Sequence, residues 1–139
     1  MFEAPINLPQ KRLKATWEKH DLVFKRPAKT SRETFKTKDT YLLKVGFKDE
    51  AIKGVGECSP LWSLSIDPRE SYSEKLTWVC DHINNWQSFI YSSDLADYPS
   101  IQFGLEMALL DLQNGGEQVI YPSDFTLGKK NIEINGLIW

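Results

Sequence analysis

The sequence predicts an α+β fold: a three-stranded antiparallel meander followed by a helical bundle, closing on a strand whose sheet lies elsewhere. Three observations carry this expectation. Over much of the first sixty positions apolar residues alternate with polar ones, or gather in short β-branched and aromatic runs, as in half-buried strands. From Tyr72 onward they recur every three or four residues, the period of helices that bury one face. The last nine residues, NIEINGLIW, return to a strand-like pattern after a helix and a long connection, which is how a parallel sheet usually begins.

Residues 12–24 set Leu13, Ala15 and Trp17 against Lys14, Thr16 and Glu18, giving the first strand. Residues 40–47 and 51–58 form the second and third, joined across Lys48, Asp49 and Glu50, a polar break of hairpin-loop length. Asp67, Pro68 and Glu70 then match a helix start, with an N-cap carboxylate, a first-turn proline and a reciprocal acid. The stripe Tyr72, Leu76, Val79, Ile83 and Trp86 continues that helix, which should fray near Trp86 after Asn84 and Asn85. A helical turn is expected within residues 88–95. Pro99 and Ser100 open a second clear helix with Ile101, Leu105, Ala108, Leu109 and Leu112 on one face, and Gly115 and Gly116 supply its left-handed stop. Residues 117–130 lack any period and read as a connection.

Composition narrows the function classes. A 139-residue chain that is 41% hydrophobic and 12% aromatic can build one core without a metal or disulfide staple. A net charge of −2 argues against a general nucleic-acid binder. Cys58 and Cys80 form no CxxC pair and have no histidine at ligand spacing, so they read as reduced thiols of a cytoplasmic protein. No stretch has the length of a signal core or a membrane span.

Three segments carry a resemblance. GVGECSPLWSLS (54–65), PSIQFGLEMALLDL (99–112) and INGLIW (134–139) stand in the order and spacing found in the enolase superfamily, in the branch containing o-succinylbenzoate synthase. They resemble, respectively, the end of that family's third capping strand with its following loop, a helix of its capping domain, and the opening strand of its barrel. Val55 stands where a Trp is common and Trp62 where many members have Pro, both in or beside a specificity loop.

The resemblance implies that residues 1–130 are a capping, or lid, domain and that residues 131–139 begin a β/α barrel truncated here. In the family a barrel lysine removes the proton alpha to a carboxylate. Magnesium, held by barrel carboxylates, stabilises the enediolate, and loss of water gives the aromatic acid of menaquinone synthesis. No catalytic residue and no metal ligand is then expected in this chain, which alone should be inactive. Expected partners are a small dicarboxylate substrate and the chain's own C-terminal barrel, with no nucleic acid or membrane. Self-association through the terminal strand is a further expectation. Two other readings stay open: the lid of an N-acylamino acid racemase or dipeptide epimerase, and a free-standing protein-interaction domain that uses INGLIW as an added strand. On pattern alone the terminal strand could instead complete the meander as a fourth member.

Two stretches are candidate specificity loops. Residues 24–39 exceed ordinary hairpin length, and between Lys25 and Lys38 they gather six Lys and Arg residues against a single acid, Glu33, in a net acidic chain. A cationic flap suits a dicarboxylate; a solvated loop is the bland alternative. Arg32, Lys36 and Thr37 are its chosen contributors. Ser59, Pro60, Leu61 and Trp62 belong to the second loop, stiffened by the proline and walled by apolar side chains that serve either ligand or domain interface. Glu57 reads as structural, and His20 and His82 as ordinary histidines.

Overall fold

A computed structural model describes residues 6–136. Its strands are β1 (Leu13–Lys29), β2 (Thr34–Phe47) and β3 (Lys53–Cys58), paired antiparallel in the order β1-β2-β3. Three helices follow: α1 (Tyr72–Asp81), α2 (Trp86–Phe89) and α3 (Pro99–Gln113), with short 3-10 turns at Ile83–Asn85 and Ser93–Leu95. The meander and helical layer expected from the sequence are present.

The helical layer covers one face of the sheet. Tyr41, Leu43, Val45 and Phe47 alternate along β2 and are buried, as a pleated strand requires. They meet Tyr72, Leu76 and Val79 of α1 and Ile101, Leu105, Ala108 and Leu109 of α3 in one core. α1 lies against β1, and α3 lies against β3 at backbone distance. A Cβ added to Gly56 would sit 1.7 Å from the carbonyl oxygen of Gly104, and one on Gly54 would sit 1.9 Å from that of Ala108. The glycines of GVGEC and of the Phe-Gly pair are therefore the surfaces through which strand and helix touch.

Both ends of α3 are tied by carboxylates. Asp67 Oδ1 accepts from the backbone N–H of Ser100 at 3.1 Å and from its hydroxyl at 2.7 Å, so it caps α3 from a distance of 33 residues. At the other end buried Asp111 accepts from Val55 N–H at 2.9 Å, on the outer edge of β3, and from Gln118 N–H at 2.6 Å. Gly115 and Gly116 have φ of +96° and +74°, and their N–H groups return to Leu112 and Asp111 in a Schellman stop, as expected.

Several expectations are corrected. Residues 24–39 are not a loop: β1 and β2 run on past the reach of β3 as a two-stranded ribbon that turns only at residues 30–33. The pairing slips between Val23 and Ala28, around Pro27, which cannot donate to the ladder. The first helix begins at Tyr72 rather than just after Asp67, because that carboxylate serves α3. It also ends at Asp81 instead of reaching Trp86. Asn84 turns out of the helical path, accepting from Leu13 N–H at 2.8 Å and donating to its carbonyl at 3.1 Å. Of the expected terminal strand, residues 131–136 are exposed and unpaired, and Leu137, Ile138 and Trp139 lie outside the described residues. No helix among the described residues is long and apolar enough to cross a membrane.

Candidate functional site

The ribbon and the segment after β3 enclose a cleft of about 180 Å³. Its ribbon wall is Phe35, Thr37 and Asp39, alternate residues of β2 that share the face of core residue Tyr41. Pro60, Leu61 and Trp62 form the opposite wall, and Arg69, from the turn ahead of α1, completes it. That second wall is braced internally. Ser65 Oγ accepts from Leu61 N–H at 2.8 Å, while the N–H groups of Leu64 and Ser65 both return to the Leu61 carbonyl at 2.7 Å.

Two polar ties lock the walls together. Lys38 Nζ donates to Ser59 Oγ, which also lies 3.2 Å from the Thr40 hydroxyl. Trp62 Nε1–H donates to Asp39 Oδ2 at 2.8 Å, and Lys19 pairs with Asp39 Oδ1 at 3.1 Å. Burial works against the charge of Asp39, but the Trp62 hydrogen bond and Lys19 outweigh it, so this carboxyl titrates below its usual range. The Trp62 ring stands edge-on to Tyr72 at 5.1 Å and to Tyr41 at 6.5 Å, which seats the cleft on the aromatic end of the core.

Thr37, Pro60, Leu61 and Trp62 thus line one cleft, and Ser59 ties it from behind. Arg32 and Lys36 do not line it. Arg32 sits in the ribbon turn, where its N–H donates to the Thr30 hydroxyl at 3.3 Å, and Lys36 is exposed one residue out of phase with Thr37. The sequence reading left Lys38, Asp39, Phe35 and Arg69 out of the site. Alternation from Thr37 would have found Phe35 and Asp39 once the segment was read as a strand. Nothing local marks Arg69, whose neighbours Asp67, Pro68 and Glu70 spell a helix start.

Two aromatic walls beside a lysine and an arginine can hold an anionic group with an apolar body. Of the two acids in the lining, Asp39 is engaged by Lys19 and Trp62, and Glu33 is exposed at the ribbon's turn. Among the described residues no cluster of three His, Cys, Asp or Glu side chains could hold a metal ion.

The family model described as the N-terminal domain of MenC matches residues 18–112, a span that takes in most of the sheet, the cleft and all but the last residue of α3. The chain belongs to this family. The o-succinylbenzoate synthase of Desulfotalea psychrophila is 33% identical to it, aligned over 91% of the chain and 42% of that enzyme. The structure of MenC from the same organism superposes with a TM-score of 0.69 at 29% identity, again over 91% of this chain and 42% of the other. The described fold is thus that of a MenC N-terminal domain, and the chain spans well under half the length of the relative it matches. A mandelate racemase/muconate lactonizing protein from Herpetosiphon aurantiacus shares the fold at 22% identity and a TM-score of 0.59, over 77% of this chain and 32% of its own. A dipeptide epimerase from Methylococcus capsulatus, complexed with Mg and a dipeptide, does so at 17% and 0.58, over 72% and 30%. At those identities the likeness is one of fold alone.

Proposed function

We propose that this MenC N-terminal domain is the substrate-specificity lid of an o-succinylbenzoate synthase-like enzyme. It would act together with a C-terminal barrel, which begins near residue 131. The observation that carries the reading is the cleft itself: the ribbon and the 59–65 segment are tied to each other through Lys38–Ser59 and Asp39–Trp62, and they present cations beside apolar walls. A dicarboxylate with an aromatic or cyclic body has the matching chemistry. Thr37, Pro60, Leu61 and Trp62 contact the substrate in this reading, Ser59 holds the wall, and Arg32 and Lys36 steer anions from the ribbon's turn and outer face.

Proton abstraction and dehydration belong to residues outside this chain, as does magnesium, which when bound would stabilise the negative charge of an enediolate. The domain contributes binding, orientation and exclusion of water. Free thiols at Cys58 and Cys80 support a reducing, cytoplasmic setting.

The test is an assay of the complete protein carrying this domain, with and without magnesium. We expect magnesium-dependent loss of water yielding o-succinylbenzoate, and none from the 139-residue chain alone. Racemisation of N-acylated amino acids without that dehydration would replace this reading with an epimerase lid. Dehydration by the short chain would refute the lid role.

A further inference from the structure

The cleft contains one cation with a built platform beneath it. Arg69 is exposed, with its guanidinium carbon 5.5 Å from the centre of the Trp62 ring. A guanidinium over an indole face is held by the ring's negative quadrupole while its N–H edge stays turned to solvent or ligand. The indole cannot drift. Its N–H is committed to Asp39, Asp39 is committed to Lys19, and the ring packs edge-on against buried Tyr72. Lys38 supplies a second cation in the same cleft, anchored on Ser59 with further N–H donors to spare. Glu33 opposes them as the one other acid of the lining besides Asp39.

We propose that Arg69 is the specificity-determining residue that receives one carboxylate of the substrate as a bidentate pair, with Lys38 as the second cation. Asp39 is a positioning residue that holds the Trp62 platform. The proposal rests on the lid reading above and deepens it. A volume of about 180 Å³ is below the range that encloses a whole small-molecule ligand. The cleft therefore takes a carboxylate-bearing arm and leaves the reacting ring to the barrel. Planar two-point recognition explains why an arginine rather than a lysine stands on the platform.

The experiment uses the complete enzyme and steady-state kinetics of the dehydration. Arg69→Met should raise KM by about ten- to a hundredfold, the loss expected for a charge-assisted hydrogen-bonded pair, while kcat changes by less than about threefold. Arg69→Lys should recover only part of the loss. Asp39→Asn should raise KM less, and Glu33→Gln should lower it. Lys48→Met, at the other end of the sheet, should change nothing. An active wild type whose KM is indifferent to Arg69→Met overturns the proposal. A wild type that performs no dehydration removes the lid reading instead. The clamp is then decided by titrating o-succinylbenzoate against tryptophan fluorescence: a response lost in Arg69→Met upholds it, and an equal or absent response in both proteins refutes it.

Discussion

Gly56 shows how much a single position decides. Its missing side chain lets the Gly104 carbonyl approach to where a Cβ would be 1.7 Å away, with backbone on both sides and nothing able to move aside. Gly56→Ala should therefore cost about 3 kcal/mol or more, at the upper end for overpacked sites, and urea denaturation would measure it. The mate position tells the same story, since a Cβ on Gly104 would lie 2.2 Å from Cys58 Sγ. That sulfur is sealed in the core, and burial pushes its thiol up to about 12, while Cys80 rises to about 11 for the same reason. Neither should react with a thiol reagent at pH 8 before the domain unfolds. Above pH 9.0 the unfolded thiols ionise while the folded ones resist. Stability held below that value should fall as the pH climbs toward the folded values, and Cys58→Ala should flatten the decline once its cavity cost is subtracted. Asp39 titrates with the opposite sign. Its lowered folded value favours the native state above the unfolded value of 3.8, and the gain disappears as acid protonates the folded carboxyl. Asp39→Asn should remove that part of the acid limb in pH-dependent melting.

Among the elements, the ribbon was the least legible in the sequence, for a definite reason. Alternation signals a strand only when one face is buried, and residues 21–27 are exposed throughout. Cations and Pro27 then read as loop chemistry, although the backbone ladder needs no buried face. The core strands around Leu13, Leu43 and Val45 and the face of α3 were legible because burial imposes their period. The start of α1 was misread because Asp67 satisfies every local rule for capping its own helix and bonds to Ser100 instead, a choice made by tertiary packing. Asp67→Ala should accordingly lower stability by about 1 kcal/mol, the usual worth of a lost cap. Hydrogen exchange should show the loss in the first turn of α3 rather than of α1. Half of the cleft was foreseeable, because Pro60, Leu61 and Trp62 make an apolar loop in any context. The other half depended on pairing across 23 residues between Trp62 and Asp39, which no local pattern encodes.

For the whole molecule, the core of the described residues includes none of residues 131–136, all of them exposed. Ile132 and Ile134 are 59% and 88% exposed, so this segment offers apolar surface to any sheet edge it meets. We expect the 139-residue chain to self-associate in light scattering as concentration rises. Removing residues 131–139 should abolish this while shifting stability by no more than about 0.5 kcal/mol, the usual scale for surface changes. A melting transition lost on that deletion would mean that the tail is part of the core.

The tie between Asp67 and Ser100 also decides where this domain can vary. The stretch from Ser59 to Ile66 runs like a bridge deck between two fixed piers, Cys58 in its glycine seam and Asp67 on α3, with Ser59 and Trp62 pinned to the ribbon on the way. Ser63 and Leu64, at mid-span, are exposed. Side chains can be exchanged there without disturbing either abutment, so the sequence can drift at mid-span at little risk to folding.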